Sequence, residues 1–262
     1  MKLLVCVKAV PLPESSFCIN KEGDFYDEGS LKYQVNEYDL YAMEEAIRVR
    51  ESLGDVHITG VMAGPPERHD MLRKAMALGA DQGVLIDDSE RPARDAFTTA
   101  SLISSYAKNQ EFDLLLCGVM SEDLMQAQTG PMLAELLSLP CATTVVSLEL
   151  GDTGPEGART AICEREQEGG LTEKVELDLP AVITVQSGIN TPRYASLTNV
   201  LRVKEMNIPV IPAPELYSGG PAERLVRVDY PESTGRCELL EGDAEEVSSE
   251  MIERIRARTG LL

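Results

Sequence analysis

The chain has 262 residues, 43% hydrophobic and 26% charged, with a formal net charge of −20. That length buries one sizeable core, or a core with a smaller lobe, and the composition is that of an ordinary globular protein in water. The negative charge argues against direct binding to DNA, RNA or an anionic membrane, because like charges repel at any useful distance.

Short apolar strands alternate with amphipathic helices, which predicts βαβ units and a mostly parallel, doubly wound α/β sheet. Leu3 to Val7 reads as the first strand, and Met1-Lys-Leu-Leu-Val-Cys-Val-Lys8 meets a charge too early for a signal peptide. Asn36 is placed as the cap of a helix carrying Leu40, Met43 and Ile47 on one face. Val56 to Met62 is the next strand, ending at Ala63-Gly64-Pro65-Pro66. A helix through Met71, Ala75 and Leu78 closes at Gly79, Gly83 to Ile86 forms a strand, and Arg94 to Lys108 is helical.

Phe112 to Cys117 is an apolar run bounded by polar residues, as expected of a parallel strand covered on both faces. A polar loop, Gly118 to Gly130, joins it to a helix bearing Met132, Leu133, Leu136 and Leu137, which Pro140 stops. Such a loop aims free backbone N–H groups and the positive end of the peptide dipole at an anion, with Gln128 and Thr129 as side-chain donors. Neither G-x-x-x-x-G-K-[ST] nor G-x-G-x-x-G is present. By itself the loop also fits a plain α/β turn in which Gly130 only permits tight geometry. Ligands on open parallel sheets sit at the carboxyl ends of strands, so Cys6 to Ala9, Ala63 to Pro65 and Gly118 to Gly130 are expected to converge on one crevice.

After Pro140, Thr143 to Leu150, Thr160 to Glu166, Glu173 to Leu177 and Ala181 to Val185 read as antiparallel additions to the sheet. From Ile208 onward, Pro209, Pro212, Pro214, Gly219, Gly220 and Pro221 are expected to prevent regular structure. The division is therefore an α/β domain over 1–207 and an extended arm over 208–262, ending in a helix from Ala244 to Arg256. The acidic stretch Glu238 to Glu253 reads either as a solvated face or as part of an arm that embraces a partner subunit.

Cys6, Cys18, Cys117, Cys141, Cys163 and Cys237 form no C-x-x-C pair and read as free thiols. With only His57 and His69, the sequence offers neither metal-ligand spacing nor a Cys–His nucleophile, so no metal and no catalytic side chain is assigned. No segment reaches the roughly 18 unbroken apolar residues of a membrane span, and a cytoplasmic location without membrane insertion is expected.

From Lys2 to about Val210 the chain resembles the β subunit of electron-transfer flavoprotein (ETF). Five motifs carry the resemblance in order: Val5 to Pro11; Asn36 to Ala46; the Gly118 to Gly130 loop with its Gln-Thr-Gly; Glu164 to Gly170 followed by Leu179 to Thr184; and Pro192 to Asn199. The resemblance implies a heterodimer with an ETF α subunit. FAD is shared with, and sits mainly on, that subunit, and AMP is bound by β. By similarity the AMP contacts Cys6, Asn36, Glu37, Tyr38, Asp39, Ala63 and the run from Asp123 through Gln126, Ala127, Gln128, Thr129 and Gly130. Its phosphate would sit on the backbone of the last three.

The resemblance also implies a partner-recognition loop whose anchor is Leu197, flanked by Tyr194 and followed by the cations Arg202 and Lys204. Read without it, Leu197 equally packs on its own subunit. Electrons would then pass from an acyl-CoA dehydrogenase of fatty acid oxidation to an ETF-quinone oxidoreductase or similar acceptor. The chain departs from the family pattern at Leu124 and Met125, which replace acidic residues, at Pro131 in place of Gln, and at Asn36-Glu-Tyr-Asp39 in place of Asn-Pro-Phe-Cys or Asn-Pro-Phe-Asp. An electron-bifurcating ETF, with a second FAD in place of AMP and NADH as donor, is the alternative within the family. Outside it stands an adenine-nucleotide-binding regulatory module; an adenylating enzyme is disfavoured because no S-G-G-x-D-type loop lies near Val10.

Overall fold

The computed structural model describes residues 1–21, 23, 25–89, 95–151, 159–232, 235 and 237–260. Two compact units are present, Met1–Val226 and Arg227–Leu262. In the first, the chain runs through β1 (Lys2–Cys6), β2 (Ala9–Pro11), β3 (Tyr33–Val35), α1 (Glu37–Leu53), β4 (His57–Ala63), α2 (His69–Met76), β5 (Gln82–Asp87), α3 (Ala96–Ala107) and β6 (Leu114–Gly118). It continues through α4 (Thr129–Leu137), β7 (Cys141–Leu150), β8 (Thr160–Gln167), β9 (Leu171–Asp178), β10 (Ala181–Val185), α5 (Leu197–Glu205), β11 (Val210–Pro212) and α6 (Ala213–Leu216). The helix assigned to Arg94–Lys108 starts at Ala96; Arg94 itself lies outside the described residues.

Among the described residues nine strands form one sheet in the order β11-β5-β4-β1-β6-β10-β7-β8-β9. All neighbours from β11 to β7 are parallel, and β7–β8 and β8–β9 are antiparallel. The fold is thus the α/β class read from the sequence, a mostly parallel sheet with antiparallel additions. Side chains alternate across β1. Leu3 and Val5 join the core packed with Met43, Ile47, Leu72 and Met76 of α1 and α2, while Leu4 and Cys6 join that of Leu102, Ile103 and Leu133 from α3 and α4. Burial on both faces is why these strands read as continuous apolar runs.

Several elements differ from expectation, the helices α5 and α6 among them. Ala181–Val185 is not an antiparallel addition: β10 lies inside the sheet, parallel to both β6 and β7. Each of its five residues is buried, which a strand achieves between two neighbours and two helical layers rather than in an edge hairpin. Val210–Pro212 forms β11 at the edge beside β5, within a stretch expected to lack regular structure. An edge tolerates Pro212 because a strand there has an unpaired side. The short β2 and β3 pair with each other in a separate two-stranded sheet, outside the strands read from the sequence.

In the second unit α7 (Ala244–Thr259) opens with a capping box, in which the Asp243 side chain accepts from Glu246 N–H while the Glu246 side chain accepts from Asp243 N–H. Its last residue, Thr259, lies three beyond the predicted Arg256, and Gly260 closes it with φ +65°.

Candidate functional site

The strand order reverses about β1, which has β4 on one side and β6 on the other. At such a switch point the crossing helices leave on opposite faces and open a crevice beyond the carboxyl ends of the strands. A cleft open to solvent lies there. Cys6, Val7 and Lys8 at the end of β1, Ala63 at the end of β4, and Cys117 through Ser121 at the end of β6 form its floor. Leu124 and Gln126 through Thr129 form one wall, Asn36 and Asp39 of the α1 start a second, and Asp95, Ala96, Thr99 and Ile103 of the α3 start a third.

Of the nucleotide residues named from the sequence, Cys6, Asn36, Asp39, Ala63, Gln126, Ala127, Gln128 and Thr129 line this cleft together. Glu37, Tyr38, Asp123 and Gly130 do not. Glu37 donates its N–H to Glu122 Oε2 at 3.3 Å, and Tyr38 packs its Cβ against Gly118. Asp123 takes an ion pair from Lys8 at 2.7 Å. Gly130 is buried in the first turn of α4 against Thr184, where an added Cβ would lie 2.2 Å from Cγ2.

The loop wall leaves backbone donors open. Met125 and Ala127 adopt φ +52° and +54°, and Gln128 follows in the right-handed region at φ −105°, ψ −28°. A left-handed residue followed by a right-handed one turns successive N–H groups toward the same side. The first-turn N–H groups of Thr129 and Gly130 have no carbonyl one turn earlier in the helix to bond, and the Gln128 side chain does not cap them. Pro131 is the third residue of α4, where its missing N–H would have been an orphan as well. Gln128 Oε1 is buried without a hydrogen-bond partner. A buried acceptor left open is costly unless something outside the chain donates to it, so these residues fit an adenylate, with a phosphate at the amides and an N–H donor at Gln128.

Asn36 and Asp39, expected to touch the ligand, spend their polar atoms on the scaffold. Asn36 is at the helix start but does not cap it: its Nδ2 donates to Met120 O at 3.0 Å and its Oδ1 accepts from Glu122 N–H at 3.1 Å. The backbone beyond β6 competes successfully for both atoms of that amide. Asp39 accepts from Lys8 N–H at 2.7 Å and from Gly118 N–H at 3.2 Å, joining the ends of β1 and β6. Burial pushes the Asp39 carboxyl up to about 7, against the opposing pull of these hydrogen bonds. Gly118 must be glycine because an added Cβ would stand 2.5 Å from Asp39 Oδ1 and 2.6 Å from Tyr38 Cβ. Beneath, contact with Cys6 and burial hold the Cys117 thiol well above its ordinary value, so it stays protonated and is no nucleophile.

Sequence reading named no role for Lys8 or Asp95. Lys8 Nζ donates to Asp123 Oδ1 at 2.7 Å and Ser121 Oγ at 3.1 Å, pinning the loop after β6 to β1. Asp95 caps α3 by accepting from Thr98 N–H at 2.9 Å. The legible signals were a cation at the carboxyl end of a strand and an Asp opening a helix. A second cavity, open to solvent, shares Lys8, Ala63 and Leu124 with the cleft and is walled by Phe25, Tyr26, Tyr33 and Arg68.

The residues named for partner recognition lie on the surface. Tyr194 is 99% exposed and Leu197, the first residue of α5, is 74% exposed. Lys204 is exposed, and Arg202 Nη2 donates to Ala80 O at 2.8 Å. Among the described residues no helix is long and apolar enough to cross a membrane, and no cluster of three or more His, Cys, Asp or Glu could hold a metal ion.

Residues 25–216 match the electron transfer flavoprotein domain family. The chain is 34% identical to the electron transfer flavoprotein subunit beta of Methylophilus methylotrophus, over 99% of this chain and 100% of that protein. It is 34% identical to the Bacillus subtilis subunit beta over 100% of both chains. The mitochondrial subunit beta of Oryza sativa subsp. japonica is 34% identical over 78% of this chain and 79% of that one.

Proposed function

The chain belongs to the electron transfer flavoprotein family, as a β subunit, and from that premise we propose that it pairs with an ETF α subunit, shares its FAD, and holds AMP in the cleft between β1 and β6. The complex accepts electrons from an acyl-CoA dehydrogenase and delivers them to a quinone reductase in the cytoplasm. One observation carries the nucleotide assignment. The start of α4, with the open amide of Thr129 and the unpartnered Gln128 Oε1, lines one cleft with the carboxyl ends of β1 and β6.

In this reading the flavin, when bound, supplies the one-electron chemistry. The chain's own residues bind and orient. The amides from Gln128 to Gly130 take the phosphate, Gln128 Oε1 accepts an N–H from the ligand, and Asn36, Asp39 and Lys8 keep the loop in place. Leu197, exposed beside Tyr194, docks on the dehydrogenase, with Arg202 and Lys204 steering an acidic partner. Of residues 208–262, those beyond α6 serve as the arm that embraces the α subunit.

Co-expression with the α subunit, denaturation of the purified complex and identification of the released nucleotides test the reading. One FAD and one AMP per heterodimer are expected, and a complex that releases no adenine compound refutes it. A second FAD, with NADH oxidation, is the other reading. It is favoured by the aromatic-walled cavity that adjoins the cleft through Lys8, Ala63 and Leu124.

A further inference from the structure

We propose that Arg193 is a positioning residue that clamps the docking segment to α1, so that Tyr194 and Leu197 meet the partner flavoenzyme in one fixed presentation. The inference rests on the docking role assigned above to Leu197. Residues 186–196, between β10 and α5, have neither helix nor strand to fix their path. Side chains fix it instead.

Arg193 engages Glu44 with both prongs of its guanidinium, Nε to Oε2 at 2.8 Å and Nη2 to Oε1 at 2.9 Å. It engages Glu51 in the same way, Nη1 to Oε1 at 2.6 Å and Nη2 to Oε2 at 3.0 Å. Its own backbone N–H donates to Glu44 Oε2 at 3.1 Å. Glu44 and Glu51 are seven residues apart, two turns along one face of α1, and the guanidinium lies between their side chains with one edge to each carboxylate. Just upstream, Asn190 Nδ2 donates to Tyr41 O at 3.0 Å and to Glu45 Oε2 at 2.9 Å, and Arg48 Nη1 donates to Ile189 O at 3.3 Å.

Glu44 and Glu45 are each only 5% exposed. Burying two adjacent carboxylates is unfavourable, and a hydrophobic pair would often be as stable. What the paired forks add is geometry, since bidentate Arg–carboxylate contacts fix orientation as well as distance. The guanidinium is held protonated by both glutamates, and the Glu51 carboxyl is drawn below its usual range by Arg193. Both partners of the Arg193–Glu51 pair are therefore charged at neutral pH. Downstream, Ser196 caps α5 by accepting from Asn199 N–H at 3.2 Å, which fixes the other side of the exposed residues. A segment ordered before encounter does not have to be ordered during it, which favours quick, weak docking.

The test uses the co-expressed complex with Arg193→Met, Arg193→Lys, Leu197→Ala and the Arg193→Met/Leu197→Ala double variant. A reduced acyl-CoA dehydrogenase is the electron donor. Arg193→Met should raise the apparent KM for the donor about tenfold while kcat stays within about twofold and flavin absorbance is unchanged. Arg193→Lys, a point charge without the fork, should fall between the two. In the Leu197→Ala background Arg193→Met should add nothing, because it acts through Leu197. Amide hydrogen exchange over 189–197 should quicken in Arg193→Met while β1 and β6 keep their protection. Unchanged exchange in that segment, or additive effects in the double variant, overturns the proposal. If Arg193→Met does not assemble, Glu51→Gln removes the exposed half of the clamp and must quicken the same amides. A wild-type complex that takes no electrons from the dehydrogenase refutes the docking assignment, whereas the exchange result still decides whether Arg193 holds the segment.

Discussion

Gly130→Ala tests the packing that sets the start of α4. The added Cβ would lie 2.2 Å from Thr184 Cγ2, where ordinary contact begins at 3.4 Å, so about 1.2 Å of separation must be found. Thr184 has little room to give. It is 1% exposed, and its Oγ1 accepts Thr144 N–H at 3.2 Å, so rotating the methyl away sacrifices that bond. Overpacking of this kind costs about 1–3 kcal/mol and the lost hydrogen bond about 1 kcal/mol more. The better helix propensity of Ala returns at most about 1 kcal/mol. The net loss is about 1–3 kcal/mol, or a fall of about 2–4 °C in melting temperature per kcal/mol for a chain of this size. Because the helix start must move outward, the amides of Thr129 and Gly130 shift with it, and AMP affinity measured by calorimetry should fall by about tenfold or more. Thr184→Ser removes the obstructing methyl and keeps the hydroxyl, so the Gly130→Ala/Thr184→Ser double variant should recover most of both losses. Wild-type affinity and melting in Gly130→Ala, or no recovery in the double variant, would refute the reasoning.

Gln128→Leu fills the same volume without the open acceptor. AMP should then bind about tenfold more weakly, the effect of about 1.4 kcal/mol, while the ligand-free protein loses no stability because Oε1 has no partner in the chain; equal affinities by calorimetry would remove Gln128 from the site. Asp39 should give the protein a pH slope. Its folded value of about 7 lies above the ordinary 3.8, so its contribution is fully present below about pH 4 and is lost as pH rises through 7. Denaturant midpoints between pH 4.5 and 8 should therefore fall more steeply in wild type than in Asp39→Asn, and parallel curves would contradict the burial argument. Leu197→Ala should lower kcat/KM for the dehydrogenase about 10- to 100-fold by deleting an apolar anchor, with no loss of bound flavin; unchanged steady-state kinetics would exclude the anchor role.

The central strands were legible because burial on two faces leaves a local mark: Leu3 to Val7 and Leu114 to Cys117 are apolar without a break. The same mark misled at Ala181–Val185, since an apolar run states that a strand is buried and not which strands flank it. The three-residue β2 and β3 were too short to show a period, and Pro11 disguised the first of them. The cleft could be placed from strand ends and one helix start, which are local features. Its internal bracing could not, because the contacts join distant parts of the chain. Asn36 reaches Glu122, Lys8 reaches Asp123 and Arg193 reaches Glu44, over separations of 86, 115 and 149 residues. A polar residue in sequence advertises a capacity to bond, and only the fold decides whether a ligand or the backbone receives it.

That distinction changes what Asn36 and Asp39 can contribute. Both side-chain atoms of Asn36 and both carboxyl oxygens of Asp39 are taken by backbone groups of the segments after β1 and β6. A ligand group arriving at either would have to displace a bond already made, gaining little, because a net hydrogen bond is worth only about 1 kcal/mol. Gln128 Oε1 and the first amides of α4 offer the opposite situation, since bonding there satisfies groups the chain itself leaves open. Affinity should therefore concentrate on the 126–129 wall, while Asn36, Asp39 and Lys8 act at one remove by holding that wall against the strand ends. The closeness of α1 to Gly118, which tolerates no side chain, makes the brace rigid, and a rigid brace lets an exposed loop with two left-handed residues keep its anion-binding shape before any nucleotide arrives.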